Sequence, residues 1–325
     1  MQLLVEQLLS RGAEVGDYLE LEQGPPAEAR LIACDEPSAY RPDFDDSAAA
    51  ILGSDWREPT DAIRWLRFRL SRPANWPPDQ TALVAQRFGT QPVEQRLGPR
   101  RLPKQRMQGL LYVDGKPYHG LDQYHRLVYL PPGPDYQLAA KVWTGTADFE
   151  WQPAPIFRLV RVDPAAMGVY QDLRVLYDAL KTLQADDAAR PGLEQLAEDA
   201  LLTIDWSCPG SEHFRRSLNA AHALVTNGLG QLHAAPYEPR LVAVGHSHID
   251  CAWLWPIVQT REKAGRTWTT VLRLMERYPE YRFLASSPLQ YAMVKEDHPT
   301  TFDGIRQRVK EGRWEALGGM WVEAD

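Results

Sequence analysis

The apolar positions of this chain change period twice. Up to about Asp163 they alternate with polar residues or gather in short runs. Leu66, Phe68 and Leu70 alternate with Arg67 and Arg69, the two-residue period of a strand with one buried face. The apolar run 109–113 ends in Asp114-Gly115, a hairpin-turn pair. Further strand-like runs lie at 127–130, 136–143 and 156–162, separated by Pro and Gly clusters, and the first ten residues have a helical pattern. Short strands with turn signals between them predict an antiparallel sandwich.

From 164 the spacing becomes helical. Asp163-Pro164 is a helix start, with the acid as N-cap and Pro at the first helical position. Three apolar series follow: Tyr170, Leu173, Tyr177 and Leu180; Leu193, Leu196, Leu201 and Ile204; Phe214, Leu218, Ala221, Val225 and Leu229. Pro191 and Cys208-Pro209-Gly210 punctuate them, and 234–240, with Pro236 and Pro239, reads as a linker. The last part alternates element types. A buried-type strand at 241–244 precedes a helix from about Trp255 to Tyr278, stopped by Pro279. A strand at 281–285, helical pieces at 289–295 and 302–310, and a strand at 315–322 complete it. Gly318-Gly319 either weakens that last strand or marks a close backbone approach. A β-α-β-α-β order implies parallel strands with right-handed crossovers. The chain is therefore expected to be multidomain: 1–163 an antiparallel β-sandwich, 164–240 a helical connector and linker, 241–325 the first part of an α/β domain.

Composition narrows the function. The formal net charge is −7, against the basic face that nucleic-acid binding needs. The densest basic stretch, 96–106, is broken by Pro99 and Pro103 and reads as a solvated loop. Cys34, Cys208 and Cys251 are widely spaced, which argues against a disulfide framework and for a reducing compartment. The N-terminus lacks a basic n-region, Glu6 interrupts its apolar run, and no stretch is long and apolar enough for a membrane span. A cytoplasmic location is expected. The 11 Trp residues are read mostly as core, with weak pointing to carbohydrate, whose rings stack on aromatic faces.

Function in α/β proteins collects where parallel strands end. The three expected strands exit into Gly245-His246-Ser247-His248-Ile249-Asp250, into Ser286-Ser287 with Gln290 beyond, and into Trp321-Val322-Glu323-Ala324-Asp325. His248 and Asp250 are two residues apart, so on a continuing strand they point the same way. An imidazole nitrogen and a carboxylate oxygen so placed can chelate one divalent ion, and zinc accepts that ligand mix. His246 with His248 is also a chelating HxH pair, although a structural or supporting role for His246 is preferred. Trp253 could stack on a bound ring; Trp255 reads as core. Ser287 lacks the GxSxG elbow of a hydrolase nucleophile.

The run VGHSHIDCAWLWP resembles the HxDxxW signature that opens the catalytic domain of family 38 α-mannosidases, most closely the cytosolic and bacterial branch. The likeness continues through Arg261, Lys263 and Arg266-Thr267-Trp268, then LRLMERYPEYRFLASSPLQYAMVKEDHP, to GRWEALGGMWVEAD. Upstream, GLLYVDGKPYHGLDQYH resembles the amino-terminal β-sandwich of that branch. The resemblance implies that 241–325 begin an α/β-barrel catalytic domain. It implies that His248 and Asp250 bind a catalytic zinc, with cobalt or another divalent ion as a substitute. It implies that Trp253 lines the sugar subsite; it places neither the nucleophile nor the acid at Glu323 or Asp325, which are read as ordering the loop near the substrate or contacting an outer sugar. The implied substrate is a mannose-containing oligosaccharide, cleaved with retention of configuration. The branch is often oligomeric, which implies a homo-oligomer.

The family nucleophile sits in a later motif of the type WLPDxFGY, absent here, as is the second zinc-binding histidine. The expectation is thus an N-terminal fragment with no catalytic carboxylate of its own, the nucleophile lying beyond Asp325, and inactive by itself. Two other readings are an HxH metal-dependent amidohydrolase, which leaves Trp253 and the upstream sandwich unexplained, and a non-catalytic carbohydrate-binding module.

Overall fold

The structure is a computed structural model that describes residues 2–33, 36–54, 56, 61–88, 107–145, 154–232, 241–253 and 255–322. The basic stretch 96–106, the linker 234–240, Cys34, Glu323 and Asp325 lie outside the described residues. The strands are β1 (Glu20–Gln23), β2 (Arg30–Ile32), β3 (Ala50–Ile51), β4 (Ile63–Ser71), β5 (Thr81–Gln86), β6 (Gln108–Val113), β7 (Lys116–Leu121), β8 (Leu127–Tyr129), β9 (Asp135–Trp143), β10 (Ile156–Val162), β11 (Gly245–His246), β12 (Phe283–Ala285) and β13 (Trp314–Ala316). The helices are α1 (Gln2–Gly16), α2 (Pro164–Thr182), α3 (Arg190–Thr203), α4 (Glu212–Gln231), α5 (Ile257–Arg277), α6 (Pro288–Asp297) and α7 (Pro299–Lys310). No helix among the described residues is long and apolar enough to cross a membrane.

The chain forms two compact units, one of residues 1–24, 76–82 and 160–241, the other of 25–75, 83–159 and 242–325. They group the chain differently from a linear division at 163 and 240, because α1 joins the connector helices. Leu4, Leu8 and Val15 of α1 share one core with Val169, Leu173 and Leu176 of α2, Leu193 and Ala197 of α3, and Phe214, Leu218 and Val225 of α4. Each buried Leu there contributes roughly 1.5–3 kcal/mol. Asp163 caps α2, accepting from the Ala165 and Ala166 amides, and pairs with Arg215 of α4 at 3.3 Å. A cap of this kind stabilises by about 1 kcal/mol. In the same unit β1 runs antiparallel to the end of β10, Gln23 opposite Val160.

The second unit holds a six-stranded sheet in the order β3-β2-β4-β9-β6-β7, its pairs antiparallel where the register is defined. Asp114 and Gly115, at φ 48° and 78°, make the β6–β7 turn, the two positive φ values that a two-residue hairpin requires. Phe68 of β4 stacks on Phe157 of β10 at 4.2 Å. The alternation in β4 does not put every arginine in water. Arg69 is exposed, but Arg67 is buried. It pairs with buried Asp46 at 2.9 Å and donates to the carbonyls of Ala39, Arg41 and Phe44. A loop whose carbonyls face inward covers that side of the strand and supplies the partners a buried guanidinium must have.

Three strands in the order β11-β12-β13 form a parallel sheet in the same unit. α5 connects β11 to β12, and α6 with α7 connects β12 to β13. Ala264, Trp268, Val271 and Met275 of α5 pack against Phe283, Ala285 and Trp314 of the sheet. Thr270, further along α5, receives the Gly120 amide of β7 at 2.8 Å. α5 is thus covered on two sides, which explains its buried Gln259, Thr260, Arg266, Thr269 and Thr270. The first parallel strand is shorter than its apolar pattern predicts. Gly245 pairs with Phe283, the first residue of β12. Residues 241–244 therefore run past the end of their partner, take no strand form, and leave Leu241 88% exposed. The third strand stops early as well. Gly318 has φ 108°, and a Cβ there would clash with the Ser286 carbonyl oxygen, so Gly318 marks a close backbone approach, while a Cβ at Gly319 would meet nothing within 4 Å.

Candidate metal and sugar site

β11 ends at His246, and residues 247–253 form a loop at its carboxyl end, before α5. Within that loop His248 Nε2 lies 2.8 Å from Asp250 Oδ1. The two side chains project to the same side, as the i, i+2 spacing predicts, and converge on each other. Asp250 is the more enclosed of the two, and His248 reaches toward solvent. His246 stays in the strand ladder opposite Leu284, with its side chain exposed. The ring that meets the carboxylate is that of His248.

The loop backbone is held from two helices. Gln290 of α6 donates from Nε2 to the Ile249 carbonyl at 2.6 Å and reaches Cys251 Sγ at 3.5 Å. Thr260 of α5 donates from Oγ1 to the Asp250 carbonyl at 2.9 Å. The same hydroxyl accepts from Trp255 Nε1 at 3.0 Å. Both side chains are buried.

Trp253 is 55% exposed and meets Trp255 edge to face, ring centroids 5.9 Å apart. Lys263 lies over the Trp255 ring, its ammonium 4.4 Å from the ring centroid and 5.7 Å from that of Trp143. Lys263 also donates to Gln108 Oε1 at 3.2 Å. Burial, with the neighbouring Arg266 charge, pushes the Lys263 ammonium down to about 7. Burial likewise lowers Arg266 to about 10, and its guanidinium donates to the same Gln108 oxygen. Two partly desolvated cations therefore share one amide acceptor beside Trp255.

Of the sequence-derived site residues, the structure brings together His248 and Asp250 and places Trp253 five and three residues beyond them in the same loop. Glu323 and Asp325 lie outside the described residues. Among the described residues no group of three or more His, Cys, Asp or Glu side chains is arranged to hold a metal ion. Sequence reasoning missed Thr260. A threonine in the first turn of an amphipathic helix carries no pattern that marks it, and only its contact reveals it. Gln290 had a weak signal, as a polar residue just past the second strand.

Parallel strands joined by helices thus carry a histidine–aspartate pair and an exposed tryptophan past the exit of the first strand. Residues 238–325 match the family model described as the glycosyl hydrolases family 38 N-terminal domain. The chain is similar to an alpha-mannosidase of Saccharomyces cerevisiae, 32% identical over 178 residues that cover 51% of this chain and 16% of that protein. Alpha-mannosidase 2C1 of Homo sapiens is 32% identical over 178 residues, 53% of this chain and 16% of that protein. Alpha-mannosidase G of Dictyostelium discoideum is 29% identical over 160 residues, 49% of this chain and 14% of that protein. The matched part thus spans 16% or less of the length of these relatives.

Proposed function

We propose that the protein carrying these residues is a retaining α-mannosidase that acts on mannose-containing oligosaccharides with the help of a divalent cation, zinc by preference. The observation that supports this reading is the 2.8 Å convergence of His248 Nε2 and Asp250 Oδ1 at the exit of the first parallel strand, inside the segment that matches family 38. The donor set fits zinc, which takes imidazole nitrogen and carboxylate oxygen. Two ligands do not complete a site, so the remainder would come from outside the described residues. When bound, the cation supplies a Lewis acid toward adjacent sugar hydroxyls. An N/O site discriminates poorly among late divalent metals, so cobalt is an expected substitute.

The chain's own residues have separate tasks in this reading. His248 and Asp250 hold the cation. Trp253, exposed beside them, offers an apolar face to a sugar ring and excludes water from one side of it. Glu323 and Asp325 order the loop after the third strand or meet an outer sugar. Retention requires a nucleophile and an acid/base carboxyl about 5–5.5 Å apart, and this reading assigns neither role to a described residue. The parallel sheet begins an α/β barrel. Free Cys208 and Cys251 fit a reducing, cytoplasmic setting, and the family branch suggests a homo-oligomer.

The test is hydrolysis of p-nitrophenyl α-D-mannoside by the longest natural form that contains these residues. Activity should be lost on chelation and return with zinc. His248→Ala with Asp250→Ala should abolish it. Full activity in that double variant would refute the reading.

A further inference from the structure

We propose that Thr260 and Gln290 are positioning residues that hold His248 and Asp250 in the geometry a divalent cation needs. The proposal rests on the metal reading above and deepens it. The strand ladder ends at His246, so the carbonyls of Ile249 and Asp250 have left their neighbour in the sheet. Backbone carbonyls in a folded interior need partners. Here two consecutive ones are taken by side chains from two different helices, Gln290 at 2.6 Å and Thr260 at 2.9 Å. Fixing both carbonyls fixes the peptide planes on either side of the Asp250 Cα. Those planes set whether the Asp250 carboxylate faces the His248 ring or turns from it.

Neither residue can meet a sugar or a cation. Thr260 is fully buried and Gln290 is 4% exposed. The Thr260 hydroxyl already donates to Asp250 and accepts from Trp255. Through that hydroxyl the carrier of the aspartate is joined to the aromatic pair Trp253–Trp255. The latch therefore sets cation ligands and sugar-facing tryptophan in one frame. Groups that orient metal ligands typically change affinity by about 10–100-fold when removed. These two act through the backbone, so the lower end, roughly tenfold each, is expected.

The test uses the longest natural form and two near-isosteric variants on separate helices, Thr260→Val and Gln290→Met, with Thr260→Ser as the conservative control. Zinc affinity is measured by competition with a chromophoric chelator, and hydrogen exchange is followed in the peptide spanning 245–253. The latch is supported if Val and Met weaken zinc about tenfold and speed exchange in that peptide while far-UV circular dichroism is unchanged, and if Ser restores both. Exchange reports on the loop whether or not metal is present, so a variant of reduced stability still gives a result in the folded fraction. Wild-type zinc affinity and wild-type exchange in both variants, with zinc lost in His248→Ala, overturn the latch alone. Zinc binding that is unchanged in His248→Ala overturns the metal reading and the latch with it.

Discussion

Lys141 Nζ sits 2.5 Å from Glu262 Oε1, tying β9 of the antiparallel sheet to α5 of the parallel layer. The pair borders a recess lined by Gln108, Lys141, Trp143, Glu262 and Arg266. Glu262 is the acid nearest two cations, Lys141 by contact and Arg266 by field. Removing it leaves both in a partly desolvated place, whereas removing Lys141 leaves the carboxylate with Arg266 still near. Glu262→Gln should therefore destabilise by about 2 kcal/mol, and Lys141→Met by less. Urea unfolding followed by tryptophan fluorescence checks the order. A larger loss in Lys141→Met would contradict it.

Lys263 gives the fold a pH dependence of definite sign. Burial lowers its ammonium in the folded chain to about 7 from the usual 10.5. Between those values the unfolded chain binds more protons than the folded one, so stability rises with pH across that window. Below about pH 7 both states are protonated and the full penalty of burying the charge is present. His119, lowered by burial to about 4 from 6.5, adds a rise in the same direction between pH 4 and 6.5. Lys263→Met should flatten the stability profile between pH 7 and 10 and leave the lower limb intact. Denaturant midpoints at four pH values decide this.

The two kinds of tryptophan should separate cleanly. Trp268 is fully buried and touches Tyr291 and Trp314. Trp268→Ala should cost about 3–5 kcal/mol. Trp253 is more than half exposed, so Trp253→Ala should change stability by no more than about 0.5 kcal/mol. If the proposed function holds, Trp253→Ala in the longest natural form that contains these residues should raise KM for an aryl mannoside several-fold at nearly constant zinc affinity. A Trp253→Ala protein that is as unstable as Trp268→Ala would make Trp253 a packing residue.

Local signals in the sequence were the most readable. Asp114-Gly115 specifies a turn because both residues tolerate positive φ. The strand 156–162 and the Asp163 cap follow from apolar period and capping chemistry. The His248–Asp250 approach is the one the i, i+2 spacing suggested, although both residues lie past the end of β11. What could not be read depends on partners distant in sequence. Arg67 looks solvent-facing until the loop carrying Ala39, Arg41 and Asp46 folds over it. The helical pattern at the N-terminus does not say that α1 joins α2, α3 and α4 in one core. Residues 241–244 have a strand's composition, but the neighbour that would pair with them begins too late.

The outer sides of the parallel sheet carry the last prediction. β11 and β13 each have one strand neighbour among the described residues, β12. Next to β11, Leu241, Val242 and Val244 are exposed, and past β13 so are Leu317, Met320 and Trp321. Unpaired strand edges flanked by apolar side chains recruit other chains. Prepared as these 325 residues, the protein should self-associate with rising concentration, a process that sedimentation velocity resolves. Val242→Lys and Met320→Lys place a charge at either edge and should shift the distribution toward monomer without changing the unfolding midpoint of the helical unit that holds Leu173 and Phe214. A wild-type chain that sediments as a monomer at roughly 100 μM, a concentration at which exposed sheet edges ordinarily aggregate, would show that these edges are protected in solution.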